Sequence, residues 1–130
     1  MTQTNITDEA STLLAQFEQW AQLEPDRCTC GYVDTVFILR LRLRDAWLKV
    51  SIDEPGQDSG VGRAIVQAVV QESIAAHNWL YQVGNAITGH CYAQVLKPAN
   101  HKSFHGQADE PAIALLSAHL LALQAEQAAA

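Results

Sequence analysis

The sequence predicts an α+β fold in the order α-β-β-α-β-β-α, with three helices packed on a mostly antiparallel four-stranded sheet. Apolar residues recur at helical spacing in three segments and alternate with polar residues in four shorter ones. These two periods are typical of amphipathic helices and half-buried strands, respectively. The chain has 130 residues, of which 48% are hydrophobic, so we expect one domain over residues 1–130.

The first predicted helix covers residues 7–23. Thr7 is a suitable N-cap, and two acidic residues follow it in the first turn, where the helix dipole favours them. The apolar residues then follow helical spacing at Ala10, Leu13, Leu14, Phe17 and Ala21. Pro25 ends the pattern, because the residue before a proline is disfavoured in the α region. Residues 26–34 are expected to form a turn.

Two strands are predicted next. In residues 36–44 apolar residues alternate with arginines, and residues 47–52 alternate again. The simplest arrangement is a hairpin that turns at Arg44-Asp45, although Arg-Asp is poor chemistry for a tight two-residue turn. A single helix through 35–52 would also collect apolar residues on one face, but we favour the strands.

The middle of the chain predicts a loop, a helix and two further strands. Residues 53–62 contain Pro-Gly and two further glycines, which is typical of a loop. A broad apolar face then predicts a helix over 60–77, wide enough to pack on a sheet. Alternating residues predict a short strand at 79–83 and another at 90–97.

A third helix is predicted near the end of the chain. Residues 98–107 are polar and are expected to form a loop. The sequence Asp109-Glu110-Pro111 then favours a helix start, because proline is tolerated in the first turn. The helix is predicted over 110–126, and the alanine-rich segment 124–130 is expected to fray.

The charge excludes several classes of function. The chain carries 8 basic and 14 acidic residues, a net charge of −6. This balance argues against a general nucleic-acid binder and against attachment to anionic lipid. No apolar run approaches the roughly 20 residues of a membrane span, and the first fifteen or so residues lack the pattern of a secretory signal. We therefore expect a cytoplasmic protein.

The basic residues are unevenly distributed. Arg40, Arg42 and Arg44, three of the five arginines, lie at alternate positions and hence on one predicted strand face. Three arginines cannot be buried unpaired at an acceptable cost in free energy. This arginine stripe therefore either faces solvent or forms an interface with an acidic partner.

Three stretches in the second half of the chain carry a resemblance to known proteins. They are the helix end Ala75-Ala76-His77-Asn78-Trp79, the strand residues Tyr92-Ala93-Gln94-Val95, and the helix start within Ala108 to Ala122. In these features residues 61–124 resemble the phage α/β/α-sandwich domain family, a group of small proteins of bacteriophages and prophages. Leu116-Ser117 stands where the family often has a cysteine. The resemblance implies a fold and a genomic origin, and it implies no catalytic residues.

A second motif favours an alternative function. The string Gln57-Asp58-Ser59-Gly60-Val61-Gly62-Arg63 resembles the acyl-CoA loop of the N-acetyltransferase superfamily. That resemblance implies cofactor binding by Gln57, Gly60, Gly62 and Arg63, with backbone N–H groups near a pyrophosphate at a helix N-terminus. Three acidic residues around the loop argue against it: Asp53, Glu54 and Asp58. We favour the simpler interpretation, a capped helix entered through a glycine loop.

Four residues are candidate zinc ligands. Cys28, Cys30, His101 and His105 would supply enough ligands for a tetrahedral site. However, Cys-x-Cys is tighter than the usual spacing of zinc-binding cysteines, and the two histidines fall in a predicted loop. We therefore expect no metal and no cofactor. A disulfide is not expected either, because three cysteines leave one unpaired and nothing indicates export.

The remaining candidates have structural explanations. His119 lies in the apolar stripe of the last helix, where a histidine at the edge of the core is the simplest interpretation. Aromatic and histidine side chains around the predicted third and fourth strands offer a small pocket, but such residues usually pack against helices: His77, Trp79, Tyr81 and Tyr92. The sequence contains no Ser-His-Asp pairing, Walker loop or His-Glu-x-x-His motif.

The expected function is that of a small, non-catalytic phage or prophage accessory protein. It would act by binding a protein partner or by self-association as a homo-oligomer, for instance a dimer. The alternative is the acyl-CoA-dependent N-acetyltransferase-like enzyme.

Overall fold

The chain folds into helices and strands in the order α-β-β-β-α-β-β-β-α. The computed structural model describes the backbone of residues 6–50, 59–85 and 89–129, and the side chains of 13–50, 61–85 and 89–128. Within these residues the helices are α1 (Ile6–Leu23), α2 (Ser59–Ala76) and α3 (Pro111–Ala129). The strands are β1 (Cys28–Val33), β2 (Val36–Leu43), β3 (Ala46–Val50), β4 (Leu80–Asn85), β5 (Cys91–Lys97) and β6 (Lys102–Ala108).

The α+β class is confirmed, but the predicted four-stranded sheet is wrong. The six strands form two antiparallel sheets of three strands each, with the orders β1-β2-β3 and β4-β5-β6. We call them the N-terminal and C-terminal sheets. The two additional strands are β1, which lies within the predicted turn 26–34, and β6, which begins in the predicted loop 98–107 and ends one residue beyond it.

The predicted hairpin is confirmed, and the alternative helix through 35–52 is wrong. Leu43 pairs with Ala46 across a two-residue turn at Arg44-Asp45. Arg44 occupies the left-handed region, with φ of 58°. A carboxylate of α2 supports this strained turn, because Glu72 accepts a hydrogen bond from the Arg44 backbone N–H at 3.0 Å. Arg44 therefore lies in the turn, and only Arg40 and Arg42 of the predicted stripe lie on the strand.

The helices lie between the two sheets. α1 and α2 pack on the N-terminal sheet, where Leu39 and Leu41 are fully buried. α3 packs on the C-terminal sheet through Ala93 and Val95, and it also contacts α1 and α2. One hydrophobic cluster joins all these layers. Each large apolar side chain buried there contributes about 1.5–3 kcal/mol of hydrophobic free energy.

A close approach of backbones fixes α3 on the C-terminal sheet. A Cβ atom at Gly106 of β6 would overlap the carbonyl oxygen of Ala114 and would come 2.7 Å from the backbone nitrogen of Ala118. Only glycine fits this contact without a shift of the helix. α3 extends to Ala129, beyond its predicted end at 126. No helix among the described residues is long and apolar enough to cross a membrane.

Candidate functional site

Five polar side chains meet where the three helices converge. We call them the helix-junction cluster: Trp20, Glu24, Ser73, His77 and His119. Ser73 and His119 are completely inaccessible to solvent, and Glu24 is 7% exposed. Buried polar groups are stable only when they are hydrogen-bonded, and a cluster of them that includes a serine, a histidine and a carboxylate is a candidate functional site.

The ends of α1 and α2 place Glu24 and His77. Glu24 follows α1, and its backbone N–H donates to the Trp20 carbonyl at 2.7 Å. At the end of α2, Asn78 occupies the left-handed region with φ of 62°. The Trp79 N–H then donates to the Ile74 carbonyl at 3.1 Å, which is the Schellman arrangement of a helix end. This turn directs His77 toward the cluster.

The Glu24 carboxylate is the centre of the cluster. The Ser73 hydroxyl lies 2.7 Å from each carboxylate oxygen, and Trp20 Nε1 donates to Oε1 at 2.9 Å. His77 Nε2 lies 3.1 Å from Oε2. His119 Nε2 lies 3.2 Å from Oε1 and 2.9 Å from the Ser73 hydroxyl oxygen. The carboxylate thereby connects α1, α2 and α3.

Burial and hydrogen bonding together shift the pKa values of Glu24 and His119. Burial alone would raise the pKa of Glu24, but the hydrogen bonds from His119, Ser73 and Trp20 outweigh burial and hold its pKa well below the ordinary range. Burial lowers the pKa of His119 more than its contact with Glu24 raises it. A neutral His119 with its proton on Nε2 shares this one N–H between the Ser73 hydroxyl oxygen at 2.9 Å and Glu24 Oε1 at 3.2 Å. Nδ1, which has no partner among the described residues, then carries no proton.

The cluster contains a serine, a histidine and an acid but lacks the geometry of a catalytic triad. In a triad the serine and the acid contact opposite nitrogens of the imidazole. Here Ser73 and Glu24 contact the same nitrogen of His119, and Ser73 donates directly to the carboxylate. The hydroxyl is also sealed from solvent. Ser73 therefore cannot attack a substrate, and the arrangement is suited to holding three helices together.

A cleft of about 430 Å³ lies beside the cluster and opens to solvent. Its lining includes His77, whose side chain is 36% exposed and stacks on Trp79 with a centroid distance of 4.2 Å. The other lining residues combine apolar groups with charges of both signs, including Glu24, Arg27 and Glu126. No group of three metal-ligating side chains occurs among the described residues. Within the cleft, Glu24 Oε2 lies 3.1 Å from His77 Nε2 and 4.0 Å from Arg27 Nε.

The structure separates the four candidate zinc ligands. Cys28 and Cys30 lie on β1 with their side chains toward the core, and Cys28 is fully buried. His101 lies in the turn after β5, and His105 lies on the outer side of β6 in the other sheet. All three cysteines of the chain are free thiols. These four residues do not form one site.

The described part of the glycine motif is helical. Gln57 lies outside the described residues, whereas Gly60, Gly62 and Arg63 lie in the first turns of α2. Arg63 Nε lies 2.7 Å from Glu110 Oε2, next to the start of α3. The one cation of the motif is therefore paired with a carboxylate of the chain itself. The acyl-CoA hypothesis stays a prediction.

The small pocket considered as an alternative for His77, Trp79, Tyr81 and Tyr92 forms only in part. His77 and Trp79 stack on each other, and both approach His119. Tyr81 is 43% exposed, and Tyr92 lies on the outer face of the C-terminal sheet. His119 is the buried histidine that the apolar stripe predicts.

The outer face of each sheet is a second candidate. No described helix covers either face. The outer face of the N-terminal sheet carries Thr29, Gly31, Val33, Val36, Ile38, Arg40, Arg42, Trp47 and Lys49. The outer face of the C-terminal sheet carries Leu80, Gln82, Gly84, Tyr92, Gln94, Leu96, Ser103, His105 and Gln107.

Sequence reasoning found His119 but missed Glu24 and Ser73. The signal for Ser73 is a polar residue within the apolar stripe of α2, one turn after Val69. A polar residue in such a position predicts a buried hydrogen-bond partner. The partner itself is 49 residues away in the chain, so no local pattern identifies it.

Comparison of the chain with protein-family models, with curated protein sequences and with solved structures gives no match.

Proposed function

We propose that the chain is a small, non-catalytic accessory protein that acts by binding another protein or a second copy of itself. The observation that supports this proposal best is the uncovered outer face of each sheet, with large apolar side chains in solvent. Trp47 is 45% exposed on one face, and Leu80 is 57% exposed on the other. Exposed apolar groups rimmed by polar residues are typical of interaction surfaces. An origin in phage or prophage is supported by the sequence resemblance alone.

The polar chemistry of the chain supports a binding function over catalysis. Ser73 and His119 are both sealed from solvent and hydrogen-bonded within the helix-junction cluster. A nucleophile or a general base has to come within hydrogen-bond reach of a substrate atom. His77 is the most exposed member of the cluster, and it is stacked on Trp79 rather than presented by a closed pocket.

The C-terminal sheet supports self-association. Its nine outward positions contain no aspartate, glutamate, lysine or arginine, although 17% of the chain is charged. Depletion of charge with a central aromatic residue is typical of an interface core. Tyr92, on the central strand β5, supplies the aromatic residue, with its ring against the backbone of Gly84. An uncharged face meets its own copy about a two-fold axis without like-charge repulsion.

Sedimentation velocity over a range of protein concentrations tests self-association. We expect the wild-type chain to show a concentration-dependent dimer. Gln94→Glu, in the middle of the uncharged face, should abolish the dimer because a two-fold axis brings two carboxylates together. Gln22→Glu is the matched control, since Gln22 is exposed on α1.

Photo-crosslinking from each sheet face in a cell extract tests binding to another protein. A crosslinker at position 94 reports on the C-terminal sheet, and one at position 47 reports on the N-terminal sheet. A specific product from either face supports the proposal. A chain that stays monomeric at every concentration and forms no specific product from either face contradicts it.

A further inference from the structure

We propose that the outer face of the N-terminal sheet binds an extended acidic segment of a partner polypeptide. This inference deepens the proposed function and rests on it. The face has a basic end, formed by Arg40, Arg42 and Lys49, and an apolar end, formed by Val33 and Val36. The ligand it fits has alternating carboxylates at one end and aliphatic side chains at the other.

The basic end holds like charges opposite each other. Arg40 and Lys49 are direct cross-strand partners, and both are exposed. Directly opposed like charges destabilise an antiparallel sheet. Among the described side chains neither cation forms an ion pair, and Arg42 forms one with Asp45, at 3.7 Å across the exposed turn. An anionic group placed between Arg40 and Lys49 would remove this repulsion.

The spacing of the arginines selects an extended ligand. Arg40 and Arg42 are two residues apart on one strand, a separation of about 6.6–6.8 Å along the sheet. Carboxylates two residues apart on an extended segment have the same repeat. Each guanidinium presents a planar fork of donors to a carboxylate. Trp47, directly opposite Arg42, adds apolar surface beside this pair.

The apolar end contains a space for an aliphatic side chain. A shallow depression of about 290 Å³ lies over β1, lined by Thr29, Gly31, Val33, Ile38 and Arg40, among others. A Cβ atom at Gly31 would meet nothing within 4 Å. The missing side chain of Gly31 thus opens the depression between its neighbours on the face. This space lies next to the cations, so one ligand can occupy both.

The charge of this face argues against two other possible occupants, a second copy of the chain and a nucleic acid. A second copy would bring the cations of two identical faces together, which repel each other. A nucleic acid would meet only these few cations on a chain whose net charge is −6. An acidic polypeptide segment matches both the small number of cations and the adjoining apolar surface.

Fluorescence anisotropy with labelled synthetic peptides tests the inference. The probe has aliphatic residues at alternate positions in one half and aspartates at alternate positions in the other. Its partner peptide carries asparagine in place of every aspartate. We expect the acidic peptide to bind about tenfold more tightly than the asparagine peptide, with an advantage that shrinks at high salt.

Three variants locate the binding site. Lys49→Gln should weaken binding about two- to fivefold, whereas Lys102→Gln, the matched exposed lysine on β6, should leave it unchanged. Gly31→Val fills the depression without adding charge. It should weaken the binding of both peptides by the same factor and leave the salt dependence of the acidic peptide's affinity unchanged.

Several results would overturn the inference. Equal binding of the two peptides would do so, as would equal effects of Lys49→Gln and Lys102→Gln. Tighter binding of single-stranded DNA through Lys49 would identify a nucleic-acid surface instead. Tighter peptide binding after Asp53, Glu54 and Asp58 are replaced by their amides would identify the chain's own acidic segment as the occupant. If these outcomes occur while the dimer or a crosslinked partner persists, only this inference fails and the proposed function stands.

Discussion

Removing the Glu24 side chain should destabilise the fold more than any other single carboxylate change in the described structure. Glu24→Ala takes away the acceptor that Trp20 Nε1 and the Ser73 hydroxyl both contact. The Trp20 donor is left buried without a partner, which alone costs about 1–3 kcal/mol. A hydrogen bond to a charged group contributes about 1.5–3 kcal/mol, and two buried donors, Trp20 Nε1 and the Ser73 hydroxyl, lose one each. We therefore expect the free energy of unfolding to fall by about 3–5 kcal/mol.

The same site offers a graded comparison. Glu24→Gln keeps the shape and one carbonyl oxygen, so Trp20 retains an acceptor. The amide nitrogen then replaces one of the two oxygens that Ser73 contacts. The hydroxyl can accept from this nitrogen by rotating its own proton, which limits the loss. We expect Glu24→Gln to cost about 1–2 kcal/mol, the usual value of one or two hydrogen bonds.

Urea unfolding followed by far-ultraviolet circular dichroism measures both losses near neutral pH. Glu18→Ala is the matched control, because Glu18 is an exposed carboxylate on α1, the helix that Glu24 directly follows. Its replacement should change the free energy of unfolding by no more than about 0.5 kcal/mol. If Glu24→Ala costs no more than Glu18→Ala, the carboxylate does not hold the helices together and our interpretation of the cluster is refuted.

Three further predictions follow from particular contacts. Because burial lowers the pKa of His119, the unfolded chain binds a proton below about pH 6.5 that the folded chain does not bind, so the free energy of unfolding should fall on acidification. The urea midpoint of His119→Gln should fall less than that of the wild-type chain over the same pH range. An equal dependence of the two midpoints on pH would contradict the assignment. Gly106→Ala should lower the free energy of unfolding by about 1–3 kcal/mol, because its Cβ meets the α3 backbone. Gly31→Ala, with open space around its Cβ, should leave the stability unchanged. Thermal melts in which Gly31→Ala is the less stable variant would contradict this packing argument. Burial raises the pKa of the Cys28 thiol, so a disulfide reagent should label Cys28 only after denaturant is added; labelling in the native protein would show that this part of the core opens.

The sequence predicted the elements whose side chains alternate strongly. The three helices and the hairpin through Arg44-Asp45 were visible because apolar and charged residues follow one period over many positions. The turn itself looked unfavourable, because its support comes from Glu72, 28 residues away. A contact between residues so far apart in the chain cannot be predicted from the local sequence pattern.

The two strands that were missed lack such alternation for a physical reason. β6 faces α3 through Gly106 and Ala108, where close packing requires small residues, so its inward side is not strongly apolar. β1 carries Cys28, Cys30 and Gly31, a composition that suggested a turn. In both strands the packing partner, rather than the local pattern, sets the residue types.

The candidate site was predictable in part. His119 stood out as a polar residue in an apolar stripe, but its partner Glu24 is 95 residues away. The arginine stripe was predicted to face solvent or a partner, and Arg40 is exposed on the strand. The cross-strand position of Lys49 against Arg40 became visible only with the register. Alternation in the sequence shows which residues share one face of a strand, whereas the pairing register between strands depends on the whole fold.

We propose that stability and binding depend on different parts of this chain. The helix-junction cluster lies between the sheets and holds the helices, whereas the outer faces of the sheets are exposed. A substitution in the cluster should therefore change the free energy of unfolding and leave binding unaffected once the chain is folded. A substitution on an outer face should do the reverse.

Affinity for the acidic peptide, measured for folded Ser73→Ala beside Lys49→Gln, tests this separation most directly. Ser73→Ala removes the buried hydroxyl and should lower the free energy of unfolding by about 1–3 kcal/mol, with an affinity equal to that of the wild-type chain. Lys49→Gln should keep or slightly raise the stability, because it removes the repulsion from Arg40, and it should weaken binding about two- to fivefold. A folded Ser73→Ala chain that has lost the peptide while Lys49→Gln retains it would contradict the account and make the helix-junction cluster the functional site.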